Sequence, residues 1–190
     1  MPLTKTVFRQ NCLKKIKNST TYNKIYKNAK VNLSLQKELK HLKNKKILLY
    51  IPLPSEADIS KTIKLLRKKS DIFVPFMEGE SFKMVPFRLP LKKKKFSIYE
   101  AGNTLKDIKK IDIAIVPIIG VDGNLQRIGF GKGMYDRFFA KLKKRPYIIF
   151  IQSDFCYTKE LICDEYDIGC DLLITPDVKI LNRAMARNRK

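Results

Sequence analysis

The stretch RIGFGKGMYD, Arg127 to Asp136, sets three glycines at alternate positions among an arginine, a lysine and a carboxylate. Gly129, Gly131 and Gly133 let the backbone adopt positive φ and bring amide N–H groups close to an anion. Lys132 adds a point charge and Arg127 a two-pronged donor. Asp136 is placed to hold a magnesium ion beside phosphates. The spacing is GxGxG, which is neither the P-loop GxxxxGK[ST] nor the dinucleotide GxGxxG. Glycine spacing alone leaves a plain strand-to-helix connection open beside a phosphate cradle. The cations and the acid favour the cradle, so the residues by themselves reach a nucleotide- or phosphate-binding enzyme.

Other chemistries lack their residues. The only histidine, His41, sits in the basic run KELKHLKNKK, which leaves no Ser-His-Asp or Cys-His arrangement. Cys156, Cys163 and Cys170 are seven apart, Cys12 is remote, and no CxxC pair exists. Buried reduced thiols are expected rather than a zinc site. Catalysis must therefore run on carboxylates, amines, backbone groups and bound ions.

The net charge is +22, with 31 lysines and nine arginines spread along the chain. Lysine is a hydrated point charge, whereas specific nucleic-acid sites favour the planar arginine fork. The expectation is a solvated basic surface, with Lys92–Lys95 in an exposed loop and no specific nucleic-acid partner. A nucleic-acid-binding protein stays a rival reading, and it requires tight binding with a steep salt slope. No apolar run reaches the ~18–20 residues of a membrane helix, and MPLTKTVFRQNCLKK lacks a signal-peptide core. A soluble, cytoplasmic, monomeric protein is expected.

The elements that position the loop read as follows. Val7, Phe8, Cys12 and Ile16 give a first helix capped by Thr4, with Lys5 and Arg9 on one side of it. A second helix runs from Tyr22 toward Leu42. Strand signals at 47–52, 72–76, 82–87, 111–120, 147–152 and 171–175 are separated by helical signals, one starting at Ser55-Glu56-Ala57-Asp58 and one at Met134. Pro86 points to an edge or a bend for the third strand. The fold class is α/β: a single three-layer α/β/α domain over residues 1–181 with a mainly parallel sheet, then a basic mobile tail, 182–190. In such sheets ligands bind at the carboxyl ends of strands, where the glycine loop is expected.

At these residues the chain resembles the 5-formyltetrahydrofolate cyclo-ligase family, also called 5,10-methenyltetrahydrofolate synthetase. VPIIGVDGNLQRIGFGKGMYDRFF is similar to the family's VPG.aFd..G.RlG.GkGyYDr segment, through Val116, Pro117, Asp122, Gly123, Arg127, the three loop glycines, Lys132, Tyr135, Asp136 and Arg137. Lys5 and Arg9 resemble its amino-terminal K…R pair, YIPLPSEADISKTI its glutamate-bearing segment, IYEAG its GI.EP, and DEYDIGCDLLIT its closing e.HD...D.iiT. The resemblance implies a sheet similar to that of sugar-phosphate isomerases and CoA-transferases, and a relative of those enzymes is the second rival.

It further implies ATP as co-substrate and Mg²⁺ as cofactor, with 5-formyltetrahydrofolate as the small-molecule substrate. ATP-side residues would be Lys5, Arg9, Arg127, Ile128, Gly129, Phe130, Gly131, Lys132, Gly133, Met134 and Tyr135. Folate-side residues would be Ile51, Glu56, Phe130, Gly131, Lys132, Gly133 and Met134. Catalytic roles would fall to Lys132, Arg127 and Tyr135, and the metal to Asp136 and Asp167. For each there is a plainer reading: solvated helix faces for Lys5 and Arg9, a first-turn acid for Glu56, a buried structural ring for Tyr135, a loop cap for Asp167, and a cap or a partner of Arg137 for Asp136. Met134, Tyr166 and Ala101 depart from the family's tyrosine, histidine and proline.

Overall fold

Short β-branched runs pair into one seven-stranded sheet in the computed structural model, which describes residues 2–18, 21–93, 99–105, 108 and 110–187. Strands β1 (Lys46–Leu48), β2 (Asp71–Glu78) and β3 (Ser81–Pro86) build one half, and β6 (Ile113–Pro117), β9 (Tyr147–Ile151), β10 (Leu172–Ile174) and β11 (Lys179–Leu181) the other. The order is β11-β10-β9-β6-β1-β2-β3. The five inner strands are parallel, whereas β3 and β11 close the edges antiparallel. The chain leaves β1 toward β2 and later returns to β6 on the other side. The connections after β1 and β6 therefore diverge, which opens a crevice between them.

Alternation along the strands sorts the core into two faces. Ile113 and Ile115 of β6 join Ile149 and Ile151 of β9 under helices α2 (Thr21–Glu38) and α3 (Ser60–Leu66). Ala114, Val116, Ile148 and Phe150 turn the other way, against Phe138 and Phe139 of α4 (Met134–Ala140). A third cluster seats helix α1 (Lys5–Lys17) through Phe8, Cys12 and Ile16 on Ile119 and Ile128. The capping hydroxyl of Thr4 accepts from the Val7 N–H at 3.3 Å, as its sequence position suggests.

Several expectations need correction. Cys12 and Cys156 form a disulfide, with Cα atoms 5.9 Å apart, and only Cys163 and Cys170 are free. The pairing is created by α1 docking, which linear spacing does not encode. Ser55–Asp58 does not start α3. Leu53 and Glu56 instead close a turn, the Tyr50 hydroxyl donates to the Ala57 carbonyl at 2.7 Å, and Asp58 accepts from the Ser60 N–H.

The glycine loop does not directly follow β6, because a small hairpin of β7 (Gly120–Val121) and β8 (Arg127–Ile128) intervenes. A strand, β11, and a short helix, α5 (Arg183–Arg187), follow the segment taken as the last strand, so the start of the expected tail is helical. Lys92 and Lys93 pair as β4 with β5 (Tyr99–Glu100) rather than forming a plain loop, and Lys94 and Lys95 lie outside the described residues. Pro86 does mark an edge strand.

Candidate active site

The loop Gly129–Gly133 crosses the mouth of the crevice between β8 and α4. Gly131 and Gly133 have φ of +91° and +60°, in the left-handed region that glycine enters without strain. Gly129 is required for a different reason. A Cβ there would lie 2.4 Å from Nη1 of Arg127, so the loop wraps closely around that guanidinium.

Arg127 is buried, with 7% of its surface exposed. Its Nη1 sits 3.5 Å from the Asp136 carboxylate, its Nη2 donates to the Pro117 carbonyl at 3.4 Å, and its plane lies 4.9 Å over the Tyr135 ring. Its Nε has no partner among the described residues.

Helix α1 brings one cation to the loop and another to the neighbouring Asp164–Asp167 turn. Arg9 donates from Nε to the Gly129 carbonyl at 2.7 Å. Lys5 pairs with Asp167 and, at 3.3 Å, with Asp164. Burial works against the Lys5 charge, but hydrogen bonding and the charge of Asp167 outweigh it and raise its pKa. Lys5 and Arg9 thus converge on one rim, as their four-residue spacing predicts.

Asp136 also accepts from the Ile168 N–H at 3.3 Å, next in chain to Asp167. Each expected metal carboxylate is thus already paired with a cation, Asp136 with Arg127 and Asp167 with Lys5. Among the described residues no three acids, cysteines or histidines cluster as a metal cage. Such a donor set fits only an ion that takes most of its ligands from phosphate and water, which is the habit of Mg²⁺.

Beside the loop lies a cavity of ≈ 240 Å³. Ile51, Glu56, Arg127, Phe130, Lys132, Gly133, Met134 and Tyr135, all named from sequence, line it. A second hollow adjoins it and shares Ile51, Leu53, Glu56 and Tyr99. Gly131 stands outside this lining, at the Arg9 side of the loop. Ile128 turns its side chain away, fully buried in the α1 cluster, so only its backbone faces the loop.

Glu56 accepts from the Leu53 N–H at 2.9 Å, and burial pushes its carboxyl up to about 7 against the opposing pull of that hydrogen bond and of Arg127. Tyr135 packs on Phe82, edge to face at 5.0 Å, and burial raises its phenol well above the usual range. Sequence reasoning missed Tyr50, Pro75, Met77, Phe82 and Glu100 as lining residues. The strand runs around Tyr50, Pro75 and Phe82 were legible, but which face of β2 and β3 meets the crevice depends on the register between them, and the two-residue β5 that carries Glu100 was not legible.

Fold and site together define an α/β enzyme whose ligand cleft opens where the strand order reverses. Residues 3–176 match the model of the 5-formyltetrahydrofolate cyclo-ligase family, and the chain belongs to that family, among the ligases of folate metabolism. It is 26% identical over 174 residues to a 5-formyltetrahydrofolate cyclo-ligase of Mycoplasma pneumoniae, covering 91% of this chain and 99% of that protein. A protein of the same description from Mycoplasma genitalium is 28% identical over 133 residues, with 68% and 72% covered. The solved structure of Aquifex aeolicus 5,10-methenyltetrahydrofolate synthetase superposes with a TM-score of 0.80 at 25% identity, covering 95% of this chain and 94% of its own. That of the Mycoplasma pneumoniae synthetase, at 22% identity and a TM-score of 0.73, shares the fold over 92% of this chain and 99% of its own.

Proposed function

We propose that this chain closes 5-formyltetrahydrofolate to 5,10-methenyltetrahydrofolate at the expense of ATP, releasing ADP and phosphate. The observation that carries the reading is the shared wall: Arg127 and Lys132 line the same apolar cavity as Glu56 and Ile51. A phosphoryl donor and a flat, largely apolar acceptor would therefore meet at one point.

A formamide oxygen is a poor leaving group, so ring closure by loss of water stalls. Transfer of the γ-phosphoryl group to the formyl oxygen converts it into a phosphate ester. N10 then attacks the formyl carbon and loses its proton, and phosphate departs carrying the former formyl oxygen. Phosphoryl transfer asks the protein mainly for alignment and charge neutralisation. Lys132 and Arg127 would offset charge on the moving phosphoryl oxygens, while the N–H groups of Gly129, Gly131 and Gly133 would donate hydrogen bonds to the remaining oxygens. Lys5 and Arg9 would close over the polyphosphate from α1. Asp136 and Asp167 would hold Mg²⁺, directly or through water, and the ion would supply further charge neutralisation. Glu56, Ile51, Phe130 and Met134 would seat the folate, with Tyr135 near the formyl group.

Purified protein mixed with 5-formyltetrahydrofolate, ATP and Mg²⁺ should generate the methenyl chromophore with one ADP per product. No rise in absorbance above the protein-free rate removes the reading. ATP-independent turnover of a phosphosugar or a thioester would favour the isomerase/transferase alternative.

A further inference from the structure

We propose that Glu100 is a substrate-positioning carboxylate that reads the N–H donor edge of the bicyclic ring. The inference rests on the folate reading above and adds a residue to it. Glu100 lies on β5, in register with Lys92 of β4, and only 6% of it is exposed. Despite that burial its side chain has no hydrogen-bond or ion-pair partner among the described residues, and Lys92 makes no ion pair with it. Its carboxylate oxygens are not among the fully enclosed unpartnered atoms, so they open onto the cavity that Glu100 lines, where a ligand can supply donors. Glu100 lines the cavity beside Tyr99, and the facing walls are apolar and aromatic: Tyr50, Pro75, Met77 and Phe82. Such walls fit a flat ring.

The 2-amino-4-oxopyrimidine part of a folate carries two adjacent donors, N3–H and the 2-amino group, spaced to meet both oxygens of one carboxylate. Two acids face the cavity, and they differ in what already occupies them. Glu56 accepts from the Leu53 N–H and lies in the field of Arg127, on the loop side. Glu100 has no such partner among the described residues, which leaves both of its oxygens for the ring edge. Reading by Glu100 would point the ring's donor edge at β5 and turn the opposite side of the bicycle, with N5 and its formyl group, toward Arg127 and Lys132.

The test compares wild type, Glu100→Gln and Glu100→Asp with 5-formyltetrahydrofolate and with its 2-desamino analogue, at saturating ATP and Mg²⁺. In Glu100→Gln the KM for the folate should rise about 10- to 100-fold, with the KM for ATP and the thermal midpoint unchanged, since one charge-assisted pair is lost. Glu100→Asp should recover part of the loss. The analogue should be penalised in wild type and carry little further penalty in Glu100→Gln, because the same contact has been removed once already. Equal folate KM in wild type and Glu100→Gln overturns the inference, as does an equal analogue penalty in both. Should the variants fail to fold, absence of any analogue penalty in wild type is sufficient to overturn it. Turnover by wild type with either of these results removes only Glu100's role, whereas no turnover by wild type removes the folate reading itself.

Discussion

Lys132 and Glu56 face the same cavity under opposite constraints. Lys132 is exposed and makes no side-chain ion pair among the described residues, so its removal disturbs no packing. Lys132→Ala should therefore keep the wild-type melting midpoint while kcat falls on the order of 100- to 1,000-fold, the usual cost of losing one preorganised transition-state donor. Steady-state turnover and a thermal melt of one preparation check both halves.

Glu56 is held at about 7, above its ordinary 4.5, mainly by burial. Between those values the folded state keeps a proton that the unfolded state has released. Stability contributed by this group is thus greatest at low pH and declines as pH rises from 4.5 to 7, by at most about 3 kcal/mol. Glu56→Gln should flatten that part of the curve, as urea titrations at pH 5 and pH 8 would show. At this level residue type and motif position singled out Arg127, Lys132 and Glu56, which the structure brings to one cavity. Glu100 escaped as a site residue because one acid in a two-residue strand carries no periodic signal, and the emptiness around its carboxylate exists only after folding.

Helix α1 shows how an element can be legible while its attachment is not. The spacing of Phe8, Cys12 and Ile16 predicted the helix and put Lys5 and Arg9 on one side, where Arg9 reaches the loop and Lys5 reaches Asp167. Its anchor to Cys156, 144 residues away, leaves no trace in local spacing. The bridge closes nearly the whole chain, so in the chain-entropy account it contributes about 5 kcal/mol by restricting the unfolded state. Two thiols, Cys163 and Cys170, should react with an alkylating reagent in denaturant before reduction, and four afterwards. Reduced protein should unfold at lower urea. Four reactive thiols without reductant would remove the bridge.

The same contrast holds elsewhere: β6 and β9 were evident from unbroken apolar runs, because strands buried on both faces need them. The β7–β8 hairpin was invisible, with only two residues in each strand and a Leu125 at positive φ where turn chemistry favours glycine or asparagine. Likewise, Ser55–Asp58 carried a helix-start pattern that lost to the turn built around Glu56, whose backbone and carboxylate both close on Leu53.

The charge of the whole molecule acts through distance, and that separates its effect from the site's. The chain carries a net charge of +22, and the ligands proposed for its cleft, a nucleotide and a folate, are both anionic. Exposed charges attract such ligands over about a Debye length, roughly 10 Å at 0.1 M salt and 30 Å at 0.01 M. They raise the encounter rate without entering the transition state. Raising salt from about 10 mM to 200 mM should therefore lower kcat/KM several-fold and leave kcat at saturation nearly constant, since Arg127 is buried, Asp136 is largely covered, and the pair is poorly screened. The field should also hold single-stranded DNA weakly, with an affinity that falls steeply with salt. That association belongs to the surface and not to the loop, so Lys132→Ala should show the same large fall in kcat yet bind DNA as wild type does at every salt concentration. If a single substitution in the loop removed both, the basic surface and the cleft would be one binding site, and the lysines would have to be counted among the residues that select the ligand.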